Sequence, residues 1–145
     1  MAAVEAARVV CGVDAALKWP NDVLLDGSKL AGLLAQRAQD GSVVVGIGLN
    51  VGWAPDGAAK LGDEVRPRQM LAALLDAYDA LPTDVGPLYR DRLATLGKLV
   101  RVELPSGELV ATAVDVEPDG RLVLIDECAI THRLSIGDVV HLRPV

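Results

Sequence analysis

The pattern of apolar and polar positions divides the chain into two stretches of different character. Ala2 to Val10 is rich in helix formers and meets a stop at Cys11-Gly12. Short apolar runs follow at Leu17–Trp19, closed by Pro20, and at Val23–Leu25, closed by Asp26-Gly27, a strong hairpin signal. A longer strand, Lys29 to Ala38, runs into a second signal of the same kind, Asp40-Gly41, and Ser42 to Val51 forms the next strand. Its core, Val43-Val44-Val45-Gly46-Ile47, reads as buried on both faces. Gly52 to Arg68 is a loop by composition. Gln69 to Leu81 places Met70, Leu71, Leu74, Leu75 and Tyr78 at helical spacing, which predicts an amphipathic helix ended by Pro82. Leu88 to Leu96 predicts a short second helix, stopped at Gly97.

Beyond Gly97 the period shortens. Apolar segments recur near Leu99–Leu104, Leu109–Val116, Leu122–Ile125, Ile130–Leu134 and Val139–Leu142. Pro105-Ser106-Gly107, Pro118-Asp119-Gly120 and Ile136-Gly137-Asp138 separate them as turns. Evenly spaced short strands of this kind predict a small barrel. The chain is therefore expected to be α+β, with a first domain over 1–96 and a barrel over 97–145.

Composition narrows the function classes. Hydrophobic residues are 51% of the 145, enough for a core, but aromatics are 3% with no Phe, so Val, Leu, Ile and Ala must build it. A net charge of −6 with no basic stripe argues against nucleic-acid binding. The first residues lack a basic segment followed by an apolar stretch, and no apolar run is long enough to span a bilayer. A soluble, cytoplasmic protein without a membrane partner is expected. Cys11, Cys128, His132 and His141 have no metal-ligand or redox spacing, so reduced thiols are expected.

Register carries the chemistry. If both Asp-Gly turns are two-residue loops, Leu24 pairs with Lys29, Asp22 with Ala31, Ala35 with Gly46, Leu33 with Gly48 and Ala31 with Asn50. Asp22, Lys29 and Asn50 then share one face with Ala31, Ala35, Gly46 and Gly48. Leu30, Leu34, Val45, Ile47 and Leu49 occupy the other. A face of Gly and Ala beside a carboxylate, an ammonium and an amide leaves room for a flat ligand against backbone. A three-residue loop at either turn would flip the parity.

Taken singly, these residues have plain structural explanations. Pro20-Asn21-Asp22 is common turn chemistry, Lys29 after a turn is a typical solvated edge lysine, Gly46 and Gly48 allow close packing, and Trp19 suits a core. Coincidence of all of them on one face is what the structural account must explain. Gly46-x-Gly48-x-x-x-Gly52 is not a dinucleotide-binding loop, because Trp53-Ala54-Pro55-Asp56-Gly57 follows where a helix should open.

Lys18-Trp19-Pro20-Asn21-Asp22, Lys29-Leu30-Ala31-Gly32-Leu33-Leu34 and Gly46-Ile47-Gly48-Leu49-Asn50-Val51 resemble, in order and spacing, the three successive motifs of biotin–protein ligases. The region after Gly97 is similar to the SH3-like barrel that closes those enzymes. The resemblance implies the C-terminal part of a class II synthetase-like mixed sheet, followed by that barrel. It also implies an ATP-dependent ligase that forms biotinyl-5′-adenylate and passes biotin to a lysine of a biotin carboxyl carrier domain. In its terms Lys29 and Asp22 are catalytic, and Lys29, Gly32, Leu33, Gly46 and Gly48 meet biotin. Lys18, Asn21, Asp22 and Asn50 hold ATP, with Asn21 and Asn50 reaching Mg²⁺ through the phosphates. Gln36 stands where the family carries glutamate.

The resemblance further implies several strands and a Gly/Arg-rich loop upstream of Lys18, and nothing in Met1–Leu17 matches that loop. Activity of this chain alone is therefore not expected, and the sheet should present an exposed edge. Three explanations are open: a misplaced gene start, a half-enzyme that pairs with a separate N-terminal half, or a non-catalytic remnant that binds biotin weakly. The reading carried forward is the first. A lipoate-type ligase is the alternative within the enzyme class.

Overall fold

The computed structural model describes residues 1–105 and 107–142; Ser106 of the first barrel turn lies outside the described residues. The chain forms two compact units. The first comprises Met1–Leu17 and Asn21–Val85, the second Lys18–Pro20 and the residues from Gly86 onward. The class is α+β, with two sheets of antiparallel pairing.

Helix α1 (Ala2–Cys11) ends at Gly12, whose N–H returns to the Arg8 carbonyl. Its Ala2, Ala3, Val4, Ala6 and Ala7 are buried, and these small side chains allow close packing on helix α2 (Pro67–Asp79). Proline at the start of α2 costs no hydrogen bond, since the first helical N–H groups have no partner within the helix. Of the five apolar positions expected to face inward, Met70 is buried while Leu71, Leu75 and Tyr78 are exposed.

The first sheet runs β1 (Ala16–Lys18), β2 (Asp22–Leu25), β3 (Ser28–Arg37), β4 (Val43–Leu49), in that order. Val23, Leu24, Leu30 and Ala31 join Met70 among the buried residues of this unit. The expectation that β4 is buried on both faces is not met: Val43, Val44 and Val45 are all more than half exposed, and among the described residues β4 has a strand on one side only. An apolar open edge is a template for further pairing. The chain is therefore expected to self-associate with rising concentration in sedimentation velocity. Val44→Lys, which places a charge on that edge, should suppress the association; unchanged association would assign it to another surface.

The second unit begins with helix α3 (Gly86–Arg92), shorter than the Leu88–Leu96 helix expected. Five strands follow: β5 (Leu99–Leu104), β6 (Gly107–Val116), β7 (Leu122–Ile125), β8 (Thr131–Leu134) and β9 (Asp138–His141). They form a sheet in the order β8-β7-β6-β5-β9, so the last strand returns beside the first, the SH3-like barrel expected. Val100, Val102, Ala111, Ala113, Leu122, Leu124 and Val139 are buried in it.

Thr95 is the one buried polar residue among the described residues. Its hydroxyl accepts the Trp19 N–H at 3.1 Å and meets His141 Nε2 at 3.2 Å. With its lone pairs partly engaged by Trp19, the hydroxyl hydrogen is suited to a neutral imidazole. Burial, and then the charges of Lys98 and Lys18, push the His141 pKa down from 6.5 to about 4. Unfolding therefore takes up a proton at His141 between those values. Its contribution to stability is intact above pH 6.5 and is lost as pH falls towards 4. His141→Gln should flatten that part of the pH dependence of thermal unfolding; parallel wild-type and variant curves would remove His141 from it.

Candidate functional site

Two local irregularities set the geometry of the first sheet. Asp26 (φ 51°) and Gly27 (φ 79°) both lie in the left-handed region, forming the two-residue turn expected between β2 and β3. Leu25 pairs with Ser28 and Leu24 with Lys29, as expected. The register then shifts, so Val23 opposes Ala31 and Asp22 opposes Gly32, leaving Leu30 as an extra residue of β3. Asp22 is therefore opposite Gly32, not Ala31.

The second turn also departs from expectation. Ala38 N–H bonds Ser42 O at 2.8 Å and Gly41 N–H bonds Ala38 O at 3.1 Å, so the loop is Gln39-Asp40-Gly41, three residues long. Gly41 takes the left-handed position (φ 86°) that such loops require. Asp40 Oδ1 accepts the Ser42 N–H at 2.9 Å and hydroxyl at 2.7 Å, which stabilises the longer loop and lowers the Asp40 pKa. The register of β4 moves by one residue: Gly48 opposes Gly32, Gly46 opposes Leu34 and Leu49 opposes Ala31.

The two shifts cancel where it matters. Asp22, Gly32 and Gly48 lie in one row across three strands, with Gly46 and Leu34 on the same face. Ala31 and Ala35, expected on this face, are on the other with Leu33, Val45, Ile47 and Leu49, and Leu34 has exchanged in the opposite sense.

Lys29 reaches over Gly32. A Cβ at Gly32 would stand 3.2 Å from Lys29 Cε, 3.3 Å from its Nζ and 3.5 Å from Asp22 Oδ1, so glycine leaves the lane along which the ammonium lies. Lys29 Nζ and Asp22 Oδ1 form an ion pair of 2.6 Å, with the lysine 55% and the aspartate 16% exposed. A pair this open contributes little stability and mainly orients the lysine. Gly46 and Gly48 are not required by internal packing, because an added Cβ would meet nothing closer than 3.8 Å and 3.9 Å. Their face is open, and Gly46 and Gly48 are exposed.

The remaining expected residues are placed differently. Asn21 Nδ2 donates to the Leu33 carbonyl at 2.6 Å, and the Leu33 N–H donates to Asn21 O at 2.9 Å, so Leu33 joins the site through its backbone. Asn50 Nδ2 donates to the carbonyls of Ala59, at 2.9 Å, and Lys29, at 3.3 Å. Lys18 belongs to the second unit together with Trp19 and Pro20, while Asn21 and Asp22 belong to the first, so the motif is divided. Trp19 is 2% exposed and donates its indole N–H to the Gly120 carbonyl at 2.9 Å, a core residue as its structural reading held. Sequence reasoning missed Ala59, which bonds Lys29 O through its N–H at 2.9 Å. A backbone bond from a loop leaves no residue-type signal.

Among the described residues no group of three His, Cys, Asp or Glu could hold a metal ion, and no helix is long and apolar enough to cross a membrane.

Known proteins match both units. The profile for the biotin/lipoate A/B protein ligase family matches residues 1–53, and that for the biotin protein ligase C terminal domain matches residues 95–142. A biotin–[acetyl-CoA-carboxylase] ligase of Mycobacterium tuberculosis is 43% identical over 88% of this chain, and one of Paracoccus denitrificans is 31% identical over 86%. The chain spans 53% and 63% of the lengths of those two relatives. Among solved structures, the apo biotin protein ligase of Aquifex aeolicus superposes with a TM-score of 0.81 at 19% identity, covering 97% of this chain and 72% of that one. The same ligase in complex with biotin and ATP gives 0.78 at 20% identity, covering 99% and 68%. By its motifs, its fold and these matches, the chain belongs to the biotin protein ligase family.

Proposed function

We propose that this chain supplies the ammonium-bearing part of a biotin–protein ligase active site, acting with an N-terminal segment joined to it or provided as a separate half. The reaction is ATP-dependent. The biotin carboxylate attacks the α-phosphorus of ATP and the α–β phosphoanhydride bond breaks, giving biotinyl-5′-adenylate and pyrophosphate. The ε-amine of a lysine in the biotin carboxyl carrier domain of a carboxylase then attacks the acyl carbon. AMP leaves and the amine loses its proton to solvent. The observation that supports this reading most directly is the Lys29 ammonium held by Asp22 over the bare Gly32–Gly48 row.

Each residue has a task in this reading. Lys29 faces the carboxylate and the α-phosphate, where a preorganised cation favours the charge that builds up on their oxygens. Asp22 keeps the ammonium aimed before substrate arrives. Gly32, Gly46 and Gly48 leave the sheet face bare for the biotin rings, with Leu33 contributing through its backbone. Asn21 and Lys18 serve the phosphates. Asp22 is the single carboxylate in this set and is paired with Lys29, so the residues form no Mg²⁺ cage of their own. A Mg²⁺ brought in on the ATP phosphates would be held mainly by those phosphates, with an asparagine oxygen or Asp22 as the ligand this chain could offer, and would neutralise phosphate charge. The reading also takes residues 1–96 as the C-terminal part of the catalytic domain and 97–145 as the barrel. The reading places the chain in the cytoplasm, one compartment where ATP is at hand.

A lipoate-type ligase is the second reading, since one matching profile describes both classes. Adenylate formation by the full-length enzyme, with biotin and lipoate in competition, separates the two. Biotinyl-adenylate should form almost exclusively; lipoyl-adenylate alone would exchange the substrate. Formation of neither, with the N-terminal segment present, would leave the chain a non-catalytic remnant.

A further inference from the structure

Asn50 has a task that the resemblance does not give it. The extra residue Leu30 in β3 interrupts the ladder to β2, so backbone groups around the bulge need partners from elsewhere. Asn50 acts beside the bulge. Its backbone N–H donates to Leu30 O at 3.0 Å, one step beyond the last β3–β4 pair, and its side-chain Nδ2 lies 3.3 Å from Lys29 O. The same Nδ2 lies 2.9 Å from Ala59 O, while Ala59 N–H donates to Lys29 O at 2.9 Å. The Asn50 carbonyl accepts the Leu61 N–H at 3.1 Å. One residue at the end of β4 thus joins the start of β3 to the loop that follows β4.

The chemistry selects asparagine. Both groups facing the amide are carbonyl oxygens, so the nitrogen must point at them, and a primary amide carries two hydrogens for two acceptors. A carboxylate offers none and a hydroxyl offers one. We propose that Asn50 is a positioning residue for Lys29: by dividing its amide hydrogens between Lys29 O and Ala59 O, it fixes the backbone from which the ammonium reaches over Gly32 to Asp22. The consequence for catalysis rests on the ligase reading; the structural part does not.

The test is a lysine-ammonium NMR measurement on the chain, with the Lys29 Nζ signal identified by its loss in Lys29→Arg. Asn50→Leu keeps the branched shape, removes both donors and adds no charge. It should shift or broaden the Lys29 Nζ signal and speed exchange of the Ala59 amide by roughly tenfold, as expected when one lost contact opens a local closure. Asn50→Ser, which keeps one donor and is the milder change, should give a smaller effect of the same kind. Lys60→Ala unfastens the same loop elsewhere, where Lys60 Nζ bonds Gly52 O and Asp63, and should leave the Lys29 signal unmoved. An unmoved Lys29 signal in both Asn50 variants would overturn the proposal. So would an equal shift in Lys60→Ala, because loosening of the loop would then be the cause. Titration of biotin and ATP into the wild-type protein tests the ligase reading separately, since its failure would not alter the Lys29 signal.

Discussion

Lys29→Ala in the full-length enzyme should lower the rate of biotinyl-adenylate formation by about a hundredfold or more, the usual consequence of losing one preorganised charge contact in a reacting site. That corresponds to roughly 2.7 kcal/mol of transition-state stabilisation. The fold should survive, because the Lys29 side chain is more than half exposed and its pair with Asp22 contributes little to stability. Unfolding curves for wild type and variant are expected to overlay while pyrophosphate release collapses. Lys29→Arg should recover only part of the rate. The guanidinium keeps the charge, but its planar fork is wider than an ammonium and must share the lane over Gly32. Near-normal adenylate formation by Lys29→Ala would remove Lys29 from the mechanism, and a large loss of stability would show a structural role.

The second large effect is on stability and lies in the other unit. Trp19→Ala should destabilise that unit by about 3–5 kcal/mol, the range for emptying a buried large aromatic site. Trp19 is 2% exposed, and its indole N–H is held by the Gly120 carbonyl. Its backbone N–H satisfies the buried Thr95 hydroxyl. The alanine variant keeps the Thr95 bond but leaves a void and takes the indole donor from the Gly120 carbonyl. Trp19→Phe fills most of the void and loses only the N–H, which should cost about 1 kcal/mol. Urea unfolding, followed by barrel amide signals, distinguishes the two. Equal small losses for both variants would mean that the site collapses around the smaller side chain.

Much of this organisation was legible in the residues. The run of alanines in α1, the turn at Asp26-Gly27, the helix of α2 and the five short strands after Gly97 all follow from local propensity and period. The glycine-bearing motifs and the pair Asp22–Lys29 were legible as a site because the expected register put them on one face. That register was wrong at two places. Asp40-Gly41 looks like Asp26-Gly27, yet Asp40 caps Ser42 and the loop takes in Gln39, lengthening the turn. The bulge at Leu30 was invisible, since Leu fits a regular strand as well as an irregular one. The burial expected of Val43–Val45 also failed, because an apolar run records a tendency to be covered and not what covers it.

The amino-acid sequence by itself determined the order of elements, the change of architecture near Gly97 and the residue types that can act on a carboxylate and phosphates. Those are properties of local spacing and side-chain chemistry, which need no knowledge of distant partners. Only the tertiary structure decided that Asp22, Gly32 and Gly48 share a row, that the Asn50 amide is spent on Lys29 O and Ala59 O, and that Trp19 is anchored to Thr95 and Gly120. Strand faces alternate with a period of two, so a single extra residue in a turn or a bulge reverses them. Backbone hydrogen bonds between distant segments depend on that parity and are the same for every residue type.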